Sequence, residues 1–358
     1  MPSFRTGTVT EIISERAGLQ RARVHLEGDA AASRAVNYRE LIGDVGVGDE
    51  VVCNTTAIEL GLGTGGWHVV HWNLSKRGFS NASGGHIMKV RYTSLQTDVM
   101  SSEEQDSPHH DALRDVRSLE GMPVMLAGLH SLLAACAAGF RTRLPDARLG
   151  YVMTDGAALP MALSDLVVEL REAGFVDSTA TTGQAFGGEY ECVNAATALL
   201  ALRHVAGADA AVCAMGPGVV GTGTRYGFSA IEVAHLCAIV SELGGHPVVV
   251  VRASGADSRD RHRGVSHHTL RTLELVAPGT DVVIAGGTES DRLRADLSHL
   301  DINVRCVDAD GALDILGEHG LAPTSMGRGI EDDPVFWQCG AAAGVYAASL
   351  LAQIQAAE

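Results

Sequence analysis

The chain has 358 residues, a formal net charge of −16 and 46% hydrophobic residues, with a mean hydropathy of +0.11. That is apolar enough to bury a sizeable core and excludes a disordered chain, while the acidic balance argues against broad attraction to nucleic acid and leaves only local basic sites. The N-terminal MPSFRTGTVTEI lacks the basic and apolar regions of a signal peptide, no apolar run is expected to span a bilayer, and seven cysteines are scattered without CxxC spacing. A cytoplasmic protein with reduced thiols and no membrane partner is therefore expected.

Residues 1–95 read as β-rich, with the segments GTVTEII, RARVHL, ASRAVNY, DEVVCNTTA and WHVVHWNL separated by Gly, Asp and Asn turns. Five short strands with no helix between them predict a small SH3- or OB-like barrel. Such barrels can bind oligonucleotides, but few basic or aromatic positions stand here to stack or pair with bases. GGHIMKVRYT then predicts a strand entered through a double glycine, with Lys89, Arg91 and Thr93 on one face, a cationic pair able to reach an anion. Residues 96–120, including SSEEQDSPHHDALRD, are polar and without an apolar period, as in a linker or crossover loop.

From residue 121 to 358 the pattern becomes strict β/α alternation. Apolar runs PVMLAG, RLGYVMT, STATT, DAAVCAM, PVVVVRA, DVVIAG and NVRCVDA are followed by helical stretches that end in Gly174, Gly207 and Gly244 or Gly245, and the closing PVFWQCGAAAGVYAASLLAQIQAAE reads as one more helix packed on the domain or on a second subunit. The expected fold is α/β: a mostly parallel, doubly wound, Rossmann-like sheet behind a small N-terminal β-barrel-like domain, with a homodimer as the expected assembly. Ligands of open α/β sheets bind beyond the carboxyl ends of the strands. Those ends hold Gly128, His130, Thr154, Asp155, Thr182, Gly183, Arg252, Ser254, Gly286, Gly287, Thr288 and Asp308.

The most telling strand end is AAVCAMGPGVVGTGTRYGFSAIE. Gly216, Gly218, Gly221 and Gly223, with Thr222, Thr224 and Arg225, form a loop whose backbone can approach a ligand closely. It leads to a helix start marked by Ser229 and Glu232 in capping-box register, carrying roughly half a positive charge. Gly216 to Gly221 also matches the dinucleotide fingerprint, but the cap falls late and the next strand ends in Arg252 instead of an acidic residue. No cofactor is assigned.

The stretch from Arg252 to Thr269 is the most charged loop, and Arg259, Arg261 and Arg263 supply forks that suit phosphate or carboxylate, unless Asp257 and Asp260 pair them off. Facing the glycine loop, they would form a cationic clamp, with Asp155, His262 or His267 handling protons. Asp106, His109, His110, Asp257, Asp260, His262, His267 and His268 offer metal donors. There is no HExxH or HxH motif, and adjacent histidines on a helix are expected to point apart, so no metal ligand is assigned. No GxSxG elbow supports nucleophilic hydrolysis.

The motifs GGHIMKVRYTSLQ, EEQDSPHH, TDGAALP, AFGGEYE, MGPGVVGTGTRYG and SRDRHRGVSHHT resemble the uncharacterised bacterial family catalogued as domain of unknown function 3866, a resemblance that covers most of the chain and implies no assigned activity. The residues themselves point to an enzyme acting on an anionic small molecule such as a nucleotide or phosphorylated metabolite. A non-catalytic ligand sensor or assembly module, or nucleic-acid binding through the barrel, are the alternatives.

Overall fold

The structure, a computed structural model, describes residues 1–62 and 65–357 and divides into two compact units, 1–100 and 101–358. In the first, β1 (Phe4–Arg16), β2 (Leu19–Leu26), β3 (Ser33–Tyr38), β4 (Glu50–Asn54) and β5 (His68–Asn73) close into a barrel in the order β1-β2-β3-β5-β4. Alternation fills its interior: Val9, Ala22, Val24, Leu26, Val51, Cys53 and Val70 are buried. The long β1 pairs with β2 on one side and β4 on the other, bending through irregularities at Val9/Glu11 and Ile12/Ser14, and this bend permits closure. The expected strand at GGHIMKVRYT is only Ile87–Lys89, because Val90 and Tyr92 take positive φ and break the alternation, and Lys89 is buried.

The second unit is built on an eight-stranded sheet. Its strands are β6 (Pro123–Ala127), β7 (Leu149–Thr154), β8 (Ser178–Thr181), β9 (Tyr190–Glu191), β10 (Ala210–Met215), β11 (His246–Val250), β12 (Asp281–Ala285) and β13 (Asn303–Val307), in the order β9-β8-β7-β10-β6-β11-β12-β13. Every pairing is parallel. β6, β7, β8 and β10 are buried along their whole length, which is why they read as unbroken apolar runs. The polar stretch after residue 100 is packed on this unit instead of spanning as a free connection: Ser102 N donates to Glu191 O at 2.7 Å and Val193 N to Glu103 Oε1 at 2.8 Å.

The longer helices of this unit are α1 (Leu132–Arg143), α2 (Asp165–Glu172), α3 (Ala195–His204), α4 (Glu232–Glu242), α5 (His267–Leu273), α6 (Ser290–Leu297) and α7 (Pro334–Ala357). With the right-handed crossovers that parallel strands take, this strand order puts α1 and α2 on one face of the sheet and α3, α4 and α5 on the other, in keeping with the contacts of α4 with α3 and α5. By length and composition α7 is apolar enough to cross a bilayer, contrary to the expectation from the sequence, but it is a core helix laid against α1. The two approach backbone to backbone, since a Cβ on Gly139 would stand 2.0 Å from Ala341 O and one on Gly344 2.2 Å from Cys136 O.

Candidate functional site

β10 lies between β7 and β6, yet the chain leaving it turns to the opposite face from the chains leaving those two neighbours. Open α/β sheets bind ligands at the carboxyl edge beside such a divergence. There His130 ties neighbouring elements together, sharing hydrogen bonds with Ser164 Oγ at 2.7 Å and Tyr151 OH at 3.1 Å.

The glycine loop leaves β10 at Gly216, which is buried: a Cβ there would meet Ala158 O at 2.5 Å. Beyond it the loop folds into a small hairpin closed by the Gly221–Phe228 bridge. Thr222 N and its hydroxyl donate to Gly227 O, both at 2.9 Å, and the Thr222 and Thr224 hydroxyls bond each other at 2.9 Å. Gly223, Thr224 and Arg225 are exposed at the tip, and Arg225 donates to Glu274 Oε2 at 2.7 Å and to Tyr226 OH at 3.0 Å. The expected capping box does not form. Ser229 instead accepts from Val220 N at 3.1 Å, while Glu232 turns to the end of β7 and accepts from Thr154 Oγ1 at 2.7 Å.

The arginine loop runs beside this hairpin, but most of its charge is engaged internally. Asp257, 1% exposed, takes Arg259 bidentately, Nε and Nη2 both at 2.9 Å, and Arg328 Nη2 at 3.4 Å. The Arg259 guanidinium, chiefly through its side-chain hydrogen bond, holds this carboxyl far below the usual range. Arg328 also reaches Asp333, which accepts from Ser254 Oγ at 2.5 Å. Arg263 Nε donates to the Asp257 carbonyl at 3.0 Å. Two buried carboxylates thus face three guanidinium groups, and the loosely held one is Arg252, whose Nη2 stands 3.8 Å from Asp257. Burial first, then Arg259, push its pKa down to about 10, so it stays charged at neutral pH. Among the described residues its side chain makes no hydrogen bond.

Arg252 lines a cleft with Gly128 at the end of β6, Val233 on α4, and His268, Thr269 and Thr272 on α5. The hairpin closes one side. A Cβ on Gly221 would stand 3.0 Å from His268 Nε2, and Phe228 stacks on the His268 ring at 4.3 Å and 7°. The glycine and arginine segments are therefore neighbours, although the cation between them is Arg252 instead of Arg259, Arg261 or Arg263.

His267 and His268 do not diverge as adjacent helical residues were expected to: their rings lie 4.3 Å apart, and His262 stands 5.0 and 5.1 Å from them. The reason is that the pair occupies the first turn of α5, where Ser266 accepts from His268 N at 3.3 Å and also binds His262 Nδ1 at 2.7 Å, drawing the loop histidine back over the helix start. Burial and then the positive Arg252 and Arg259 push His262 down to about 3, and burial, His267 and Arg252 do the same to His268. Burial and Arg261 lower His267 as well. All three imidazoles are neutral at neutral pH.

Asp155 belongs to a different part of the edge. It ends β7, three strand positions from β11 and so about 14 Å across the sheet. There its Oδ2 accepts from Gln184 N at 2.9 Å. Its neighbour Glu232 is pushed up to about 7, chiefly by burial and further by the Asp155 charge. In the sequence Glu232 carries the signal of a cap, because a glutamate three residues after a serine carries it whether or not it closes the turn. Lys89 and Arg91 belong to the other unit, and the His109–His110 pair packs near β9, with His110 Nδ1 2.8 Å from Glu103 O.

No curated protein matches this chain. The family model described as "Protein of unknown function (DUF3866)" matches residues 34–344, most of its length, and includes the glycine hairpin, the arginine loop and the three histidines. The chain belongs to the DUF3866 family.

Proposed function

We propose that this protein binds a phosphate- or carboxylate-bearing small molecule in the cleft beneath Arg252, as the first step of an enzymatic reaction on it. The observation that carries this reading is the state of Arg252: a side chain 11% exposed, at the carboxyl end of a parallel strand, left with a single ion pair at 3.8 Å to a carboxylate that Arg259 already holds. A buried cation without close compensation favours an anion at that point, and the guanidinium fork suits the oxygens of phosphate or carboxylate. Thr269, Thr272 and the neutral ring of His268 add short polar groups to an otherwise apolar cleft, the composition common to small-molecule sites.

A thermal-shift panel of inorganic phosphate, pyrophosphate, nucleotides and sugar phosphates, run on chelator-treated protein, tests it. A ligand at a hundred times its Kd stabilises by about 2.7 kcal/mol. R252Q removes that response and R252K keeps part of it. No response anywhere in the panel overturns the reading. Incubating the stabilising ligand then separates an enzyme, which consumes it, from a sensor, which does not. Consumption is expected to persist in D155N, because Asp155 stands outside the cleft.

A further inference from the structure

Among the described residues, one group of three His, Cys, Asp or Glu side chains presents ligand atoms at metal-binding spacing: His262, His267 and His268 each offer one atom, all within 4.8 Å of one another. We propose that these three imidazoles form a site for a divalent transition metal of the zinc class, with a fourth position left for water or an anion.

Three observations converge on it. His267 Nε2 and His268 Nδ1 are buried ring nitrogens without a hydrogen-bond partner, and His268 is only 8% exposed. A buried polar atom left unpaired is costly, and two in adjacent residues of one cluster are better explained by a ligand than by packing. His262 is oriented through its other ring nitrogen, as metal-ligating histidines are: its Nδ1 bonds Ser266 Oγ at 2.7 Å, and Arg261 Nε donates to its Nε2 at 3.4 Å, which marks Nε2 as carrying the lone pair and Nδ1 as the protonated nitrogen. Three imidazoles also make a donor set suited to zinc, copper, iron or nickel, and three protein ligands with an open position are the arrangement of metal sites that act on a bound molecule.

Tetrahedral ligation at about 2.0–2.1 Å places nitrogens about 3.3 Å apart, so the cluster closes by ring rotation and by displacing the weak Arg261 contact. The nearby guanidinium groups of Arg252, Arg259 and Arg261 oppose a bare dication. The fourth ligand is therefore expected to be an anion, which joins this site to the cleft lined by His268 and Arg252. Metal uptake itself does not depend on the anion reading and is measured without any anionic ligand.

The test uses the full chain, stripped with chelator and titrated in phosphate-free buffer with Zn2+ or with Co2+, whose tetrahedral absorption reports ligation. The expected result is one equivalent bound, with affinity falling by more than the roughly 100-fold that an outer-shell change can cost in H267Q and in H268Q, and unchanged in D155N. His267 is half-buried, so H267Q is the variant most able to keep its fold, which circular dichroism verifies. Absence of uptake by the wild-type chain, or equal uptake by folded H267Q and H268Q, overturns the proposal. Phosphate is expected to tighten Co2+ binding. Uptake indifferent to phosphate upholds the metal site and counts against the anion reading, so the two fail separately.

Discussion

Gly221 and His268 are in close contact: a Cβ on the first would stand 3.0 Å from the Nε2 of the second, so the glycine leaves the imidazole its place. G221A is expected to push the imidazole by a few tenths of an ångström and weaken Co2+ binding about tenfold, with little change in the melting temperature. G223A is the contrast. Gly223 has φ of +77° with open space around it, so alanine there strains the backbone by about 1–2 kcal/mol and leaves metal affinity unchanged. Equal metal affinity in the two variants would show that the hairpin does not shape the histidine cluster.

Arg259 and Arg252 compete for one carboxylate. With Arg259 bidentate on Asp257, Arg252 is kept at 3.8 Å and faces the cleft. Removing Arg259 is expected to let Arg252 close on Asp257. R259A therefore costs about 2 kcal/mol of stability through the lost charged hydrogen bonds, and it also weakens anion binding at a position the anion does not touch. Urea titration reads the first effect and phosphate thermal shift the second. Destabilisation with an unchanged phosphate response would place Arg259 in a purely structural role.

The contact between α1 and α7 leaves no room for growth. A Cβ on Gly344 would meet Cys136 O at 2.2 Å and Phe140 N at 2.5 Å, which are backbone atoms that cannot rotate away. G344A is expected to cost about 1–3 kcal/mol by forcing the helices apart, measured by urea denaturation. A helix docked only through pliable side chains would tolerate it.

The architecture was legible because each level of the sequence agreed with the next. Seven apolar runs became seven parallel strands, and Gly174, Gly207 and Gly244 each take positive φ just past a helix, as their position after the periodic stretch requires. The strand-end rule pointed to Arg252 as well, since a charge directly after PVVVV has nowhere to go but the carboxyl edge. What stayed hidden was direction. Spacing showed that arginines and aspartates were near each other, but not that Asp257 would gather Arg259 and Arg328 while Arg252 remained loosely held. Nor could it show that Ser266 would fold His262 back onto His267 and His268. Residues 96–120 read as a linker because the run is polar and carries no apolar period, although Leu113 and Leu119 within it are buried in the core of the second unit. At Glu232 a local rule, the capping box, competes with a tertiary partner, and the Thr154 hydroxyl wins.

That pairing has a consequence for stability against pH. The Glu232 carboxyl is pushed up to about 7 in the folded protein, mainly by burial, whereas its ordinary value is 4.5. The folded state therefore binds this proton more tightly than the unfolded state between those limits. The group's contribution is fully favourable below about 4.5 and is lost as pH rises through about 7. The difference corresponds to about 3 kcal/mol. E232Q keeps an acceptor for the Thr154 hydroxyl but carries no charge, so it is expected to be near neutral at pH 5 and stabilising by up to about 3 kcal/mol at pH 8, read from urea midpoints at the two values. D155N moves in the same direction by less, since the Asp155 charge is the smaller cause. An E232Q effect of equal size at both pH values would mean that the carboxyl is ionised in the folded protein throughout, and that the end of β7 is wetter than its packing indicates.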